Sequence, residues 1–547
     1  MIRTLVACFA LWGGGAAADV LLVNARVHTV DEALLKAEAL LITDDGLIGA
    51  VGSSSDLKTA YPLADIVDLG GRMVLPGFQD AHLHALEAGM YEDFCLPPQF
   101  GDATDYRYAL EECADIASGD WVLGAGVNMI SLLTEVADPL ALIDAIIPDR
   151  PALIIDDLGH GAWANSVALA RAGLDAAGPD PQGGMFAPNL AGGVSGVVLE
   201  SLSQTMLDVV FPPTEANLDR SYFSLVSALR VLAAHGVTTV SDAGGYWPRG
   251  HDEVWRMVEA DGLMTVRASN ALYVYPDRPM EQQIAELVAR YDARPGALVR
   301  FDQVKLYVDG ILSQATGALN APYAEWLDLP PELASGFEYF RGGALNEYAR
   351  RLSHAGFKLH IHTTGDRGTR LALNAIEGAN AAPGPHRITH LYMIALADMP
   401  RFAALNVVAD FQMASASLDR EYRIFMRDMI GRREASMLPL RAMLKTNALV
   451  TLSSDWDADD LSPLHKLETV VTHAGVDLET AIRLMTLNPA KLLNHADQTG
   501  SIVVGKQADL VVLDRDLFVT PPSELGEVSV DATLLGGKPV YNPAGLF

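Results

Sequence analysis

"MVLPGFQDAHLH", residues 73–84, runs from three apolar residues through Pro76 and Gly77 into Asp80, His82 and His84. Read as one β-strand, it ends with two imidazoles on the same side, because residues i and i+2 of a strand project together. The same design recurs down the chain, a short apolar run closing on a polar tip and followed by a helical pattern. It returns in "GVTTVSDAG" (236–244), "TVRASNALYVY" (265–275), "VKLYVDG" (304–310) and "FKLHIHTTGD" (357–366). "RITHLYMI" (387–394), "NVVADFQM" (406–413) and "ALVTLSSDWD" (448–457) complete the set. Between the later runs, stretches such as "RGTRLALNAIEGAN" place apolar residues at helical spacing. Eight strands alternating with helices predict an α/β fold, a (β/α)8 TIM barrel over residues 76–496. The gap after strand 1 is too long for a loop, and residues from about 85 to 235 predict an inserted subdomain over the barrel mouth.

Both chain ends have a different rhythm. "VLLVNARVHTV" and "AEALLITDDGLIGAVG" near the start, and "SIVVGKQADLVVLDRD" and "DATLLGGKPVYN" near the end, are short runs punctuated by Gly and Asp-Gly. They predict a small β-sandwich built from residues 19–75 and 497–547, with the barrel inserted between its halves.

Composition bounds the function. The 547 residues carry a formal net charge of -30, with 69 acidic against 39 basic side chains, which excludes a nucleic-acid partner because the phosphate backbone would be repelled. "MIRTLVACFALWGGGAAADV" has one arginine, an apolar segment and a small-residue run ending at Ala18, the pattern of a secretory signal peptide over 1–18. The expectation is an exported protein, periplasmic or secreted, with no membrane attachment after cleavage. The alternative, an apolar N-terminal tail, leaves it cytoplasmic. Cys95 and Cys113 would then remain, either as a pair or as two inert thiols, since sequence does not give their separation.

Catalytic groups of such barrels sit at the C-terminal ends of the strands. Sorted this way, His82 and His84 end strand 1, Lys305 lies on strand 4, His362 ends strand 5, His390 ends strand 6 and Asp455 ends strand 8. An isolated H-x-H carries little information; its convergence with these residues on one mouth points to a metal site. "HIH" at 360–362 leaves open which histidine is the ligand, and proximity to "TTGD" favours His362 over His360. Asp242 at the end of strand 2 either lines the mouth or is structural.

The sequence resembles the amidohydrolase superfamily of metal-dependent hydrolases, in its family 3 branch of N-substituted formamide deformylase-like proteins. The resemblance rests on "LPGFQDAHLH", "DDLGHGAWANSVAL", "PDPQGGM", "VKLYVDGILSQATGAL", "HTTGDRGTRLALNAIE", "RITHLYMIALADMPRFAALNVVADFQ", "SSDWDADDLSPL" and "TLNPAKLLNHADQTGSIVVGKQADLVVLDRD", in order over nearly the whole chain after residue 18. It implies two divalent metals per chain, zinc first, with manganese, iron or cobalt suited to the same donors. His82, His84 and Asp455 would hold one and His362 and His390 the other. Lys305, carboxylated by CO2 to a carbamate, would bridge both, because an ammonium cannot ligate a cation. The competing picture keeps Lys305 as an ammonium paired with Asp309 or Asp455 beside one metal.

The resemblance also implies a small-molecule substrate, with His160 reaching toward it; His160 and Asn165 could equally fix a turn. Trp163 is either a substrate platform or core, and Asp309 and Gln412 are further candidates for substrate contact. Family members often carry a Q-P-x-H segment after strand 7, whereas this chain has "FQMASASLDREYR", which keeps only Gln412. Asp457, Asp459 and Asp460 make the loop after strand 8 acidic; they either repel anionic substrates and favour cationic amines or are solvated loop charges.

The expected function is hydrolysis of a C–N bond (an amide, N-substituted formamide or cyclic amide) by a metal-activated hydroxide, with Asp455 as general base and then acid. The alternatives are hydrolysis of esters, carbamates or phosphoesters on the same site, or a non-catalytic metal-binding regulatory protein. A homo-oligomer is compatible with all three.

Overall fold

Eight parallel strands follow one another around a barrel in chain order. They are β1 Phe78–Leu83, β2 Val237–Asp242, β3 Arg267–Tyr273, β4 Val299–Tyr307, β5 Lys358–Thr363, β6 His386–His390, β7 Val407–Phe411 and β8 Val450–Leu452. Nearly every residue of these strands is buried, as expected of strands flanked by helices on one side and a barrel interior on the other. The ring closes at its C-terminal end, where Asp455 N donates to His82 O at 2.8 Å and His84 N to Trp456 O at 2.6 Å. The computed structural model describes residues 19–90, 94–379 and 384–547. The expected export signal at 1–18 lies outside the described residues.

The opening run divides where the sequence alone reads one strand. Met73–Pro76 pairs with Arg26–His28 and Leu510–Leu513, outside the barrel, whereas Phe78–Leu83 pairs with β2. Gly77 sits at the break, where a Cβ would lie 2.2 Å from Thr238 Oγ1, so only glycine allows so close a crossing.

Met73–Pro76 belongs to a six-stranded sheet that combines segments from both chain ends. A four-stranded sheet from the first fifty described residues packs on it through Leu22, Leu40, Ile42, Val74, Leu510 and Leu534. Between β1 and β2 a third sheet has five strands, within residues 122–200. Helices Ala85–Met90 and Glu215–Ala234 flank that region in sequence and pack on each other beside the barrel. Cys95 and Cys113 form a disulfide with their Cα atoms 5.4 Å apart. Among the described residues no helix is long and apolar enough to cross a membrane.

Candidate active site

The polar strand tips converge on Asp455. Its Oδ1 lies 3.0 Å from His82 Nε2 and 3.6 Å from His84 Nε2, and its Oδ2 lies 3.6 Å from His390 Nδ1. The His362 ring centroid is 4.3 Å from that of His390, and Lys305 Nζ is 3.3 Å from His82 Nε2. One donor atom each from His82, His390 and Asp455 fall within 4.8 Å of one another. His360, the other histidine of "HIH", approaches the far side of His82, with its Nε2 2.7 Å from His82 Nδ1.

The backbone is held in unusual conformations here. His390 has φ 73° and Asp455 has φ 60°, a left-handed region that residues with a Cβ occupy at a cost of about 1–3 kcal/mol. Asp80 helps to impose the geometry, since its Oδ1 accepts from His82 N and Ser454 N, both at 3.1 Å, and so ties the end of β1 to that of β8.

The donors suit a divalent cation. Burial pushes the imidazoles of His82, His362 and His390 well below the usual histidine value, and that of His84 to about 4, so all four are neutral at pH 7. A neutral ring keeps the lone pair that a metal ligand needs. His362 donates Nε2–H to Gly310 O at 3.2 Å, leaving Nδ1 buried with no hydrogen-bond partner. Burial alone would raise the Asp455 carboxyl, but His390, His84 and Lys305 outweigh it and hold the group below the carboxylate range. Lys305 is fully buried, and that burial pulls its ammonium down to about 7 against the opposing pull of Asp455. This shift favours the free amine, the form that reacts with CO2.

A cavity of about 480 Å³, counting its opening, lies over this cluster. His84, His390 and Asp455 form its inner wall, and His160, Tyr246 and Tyr307 stand around it. His160 Nδ1 is 2.8 Å from Glu200 Oε2, and this carboxylate raises the imidazole despite the opposing effect of burial. Tyr307 stacks on His362 with centroids 4.4 Å apart.

Three expected substrate contacts lie elsewhere. Trp163 is fully buried in the core of the inserted region, its Nε1 donating to Pro139 O at 3.2 Å. Asp309 accepts backbone N–H groups from Ala318, Thr364 and Gly365 at 2.8, 3.0 and 2.8 Å, so it fastens the loops after β4 and β5. Gln412 donates to Thr389 Oγ1 and Ser453 Oγ at 3.0 and 2.8 Å, tying β6, β7 and β8 together. None of the three lines the cavity. Asp242 likewise accepts from Ala85 N and Gly244 N and has a structural role.

The acidic loop also separates by role. Asp459 pairs with Lys466 at 2.8 Å, and Asp460 lies 2.5 Å from His465; Asp457 alone of the three faces the cavity. Sequence reasoning missed Glu87, which lines the cavity, and Glu200, which holds His160. Glu87 had a usable signal in its position, one helical turn after His84. Glu200 had none, as it closes the apolar run "GVVLE" without a motif.

A parallel eight-stranded barrel with imidazole, carboxylate and lysine donors at its C-terminal mouth is the architecture of metal-dependent hydrolases. The model of the amidohydrolase family matches residues 65–541, and the chain belongs to that family, in its family 3 branch. It is similar over 96% of its length to the N-substituted formamide deformylase of Arthrobacter pascens, with 27% identity and 99% of that protein covered. Protein LONG AFTER FAR-RED 3 of Arabidopsis thaliana is also 27% identical, over 96% of this chain and 92% of the relative. Among solved structures, an uncharacterized metal-dependent hydrolase from Pyrococcus horikoshii OT3 matches with a TM-score of 0.72 over 92% of this chain and 99% of that one. Its 21% sequence identity makes this a likeness of fold.

Proposed function

We propose that this protein hydrolyses a C–N bond in an N-substituted amide, formamide or cyclic amide. The observation that carries the reading is the position of Asp455, whose two oxygens reach the His82–His84 pair and His390 from the wall of an open cavity. His82, His84 and Asp455 would hold one divalent metal, and His362 and His390 a second, zinc being the first candidate. Lys305 would join the two after its amine nitrogen bonds to the carbon of CO2 and a proton leaves, giving a carbamate whose single negative charge is shared by two oxygens.

A divalent metal bound there lowers the pKa of water and polarises a carbonyl. Asp455 takes the proton from the attacking water and returns it to the departing nitrogen, which leaves as a neutral amine. His160, fixed by Glu200, faces the cavity and orients the substrate carbonyl. The Cys95–Cys113 disulfide supports an oxidising destination, as does the signal-like N-terminus.

Metal analysis of the purified protein, combined with Asp455→Ala assayed on matched amides and esters, tests the proposal. The expected outcome is bound metal, amide cleavage by the parent protein and loss of cleavage in the variant. Metal-free protein with full activity, or a parent that cleaves esters alone, would overturn it.

A further inference from the structure

We propose that Glu87 and Asp457 form a subsite for a cationic group, so that the substrate carries an ammonium away from the scissile bond. This rests on the C–N hydrolase reading above and adds the charge class of the substrate.

The cavity wall bears three carboxylates, Glu87, Asp455 and Asp457, and no lysine or arginine. Asp455 belongs to the metal cluster; the other two do not. The Glu87 side chain is only 9% exposed, yet its Oε2 has no hydrogen-bond partner. Its nearest potential cation on the strand side, His84 Nδ1, is 3.8 Å away, beyond hydrogen-bond reach. Space has been kept for the carboxylate, since a Cβ on Gly244 would lie 2.3 Å from Oε2.

Arg249 pairs with Glu87 only at long range, through Oε1, and leaves Oε2 unbonded. Its Nη1 stays 3.9 Å from Glu87 Oε1, while Nε binds Asp208 at 2.8 Å and Nη2 binds Gln204 Oε1 at 2.7 Å. The guanidinium lies over the Tyr246 ring, 4.2 Å from its centroid. A buried carboxyl oxygen without a hydrogen-bond partner is costly, and a bound cation removes that cost. An anionic substrate would instead meet three carboxyl groups and gain no such contact. The remaining walls suit an ammonium on an apolar arm, with the rings of Tyr246 and Tyr307 and the side chains of Leu158 and Leu207.

Titration calorimetry on the metal-loaded full chain tests the subsite. The probes are phenethyltrimethylammonium, which cannot coordinate a metal, its neutral counterpart 2-phenylethanol and the anion 2-phenylethanesulfonate. The ammonium is expected to bind about fivefold or more tighter than either counterpart, and Glu87→Gln to remove about fivefold or more of that affinity. A smaller advantage overturns the subsite, as does a smaller loss in a variant with the parental melting temperature. If Glu87→Gln fails to fold, the comparison of the three probes on the parent chain and the same measurement on Asp457→Asn decide. Hydrolysis is assayed separately. Ammonium preference without cleavage of any amide removes the C–N hydrolase reading and leaves the subsite; cleavage without ammonium preference does the reverse.

Discussion

Glu200 holds His160 from behind, with Oε2 2.8 Å from His160 Nδ1, while the same oxygen accepts the Tyr339 hydroxyl. The arrangement is tightly built. Glu200 is buried with φ 60° and ψ −130°, a region favoured by glycine, and a Cβ on Gly310 would lie 1.9 Å from its Oε1. A strained residue whose side chain grips a cavity-lining histidine is best explained by the need to aim that ring. Glu200→Gln is therefore expected to lower kcat by about 10- to 100-fold with a smaller change in KM. His160→Ala should do at least as much, and the double variant should be no worse than His160→Ala alone. Steady-state kinetics of the three proteins check this; additive losses would separate the two residues.

Lys305 offers a second test. It is fully buried within 3.3 Å of His82 Nε2, and its ammonium is pulled down to about 7. If its carbamate is a ligand, Lys305→Ala should weaken metal binding by more than the roughly 10- to 100-fold seen when a residue merely supports a ligand. Added short carboxylates such as propionate should restore part of the metal content and activity. Metal analysis after dialysis reads the first effect, and retention of the full metal complement by the variant would rule out a ligating role.

The barrel was legible in the sequence because its signal is periodic. Each of the eight runs keeps an apolar body and a polar tip, and each became a strand of the ring. The boundary at Gly77 had a local signal in Pro76-Gly77, but the short apolar pieces on either side read as one strand although they belong to different sheets. The six residues expected at the barrel mouth share strand ends, and the structure brings His82, His84 and His390 against Asp455, with Lys305 beside His82 and His362 beside His390. Chain position says little about side-chain direction once the strand ends. Gln412 follows Phe411 at the end of β7 and points among Thr389 and Ser453, and Asp309 turns back onto three amides. Glu200 acquires its role from a partner forty residues earlier, and no local pattern encodes that contact.

The disulfide gives a prediction about stability. Cys95 and Cys113 are 18 residues apart and close the first segment of the inserted region, which begins just after the helix that carries Glu87. A loop of this length is stabilised by about 3 kcal/mol through restriction of the unfolded chain. Reduction, or the paired change to serine, should lower the melting temperature by roughly 3 °C if the chain unfolds as one unit. Scanning calorimetry with and without a reductant measures it, and an unchanged transition would mean that the bridge constrains little that unfolds.

His251 predicts how stability responds to acid. Burial first, and then Arg249, push its imidazole down to about 3, and its Nδ1–H donates to Gly244 O at 2.8 Å. In the unfolded chain the group titrates near its ordinary value of about 6.5. The folded value is the lower one, so the contribution is fully present above pH 6.5 and is lost progressively as pH falls toward 3. At pH 5 the loss amounts to about 2 kcal/mol. Buried carboxyls act in the opposite direction, since burial raises Asp242 and Asp309 to about 7 and the folded state gains stability as they protonate. The overall pH profile therefore does not isolate the histidine, whereas a difference between two proteins does. His251→Asn keeps a donor for Gly244 O but cannot titrate, so the stability of the parent relative to the variant should fall by about 2 kcal/mol between pH 8 and pH 5. Unfolding in urea at the two pH values measures that difference, and a constant offset would mean that His251 titrates alike in the folded and unfolded chain.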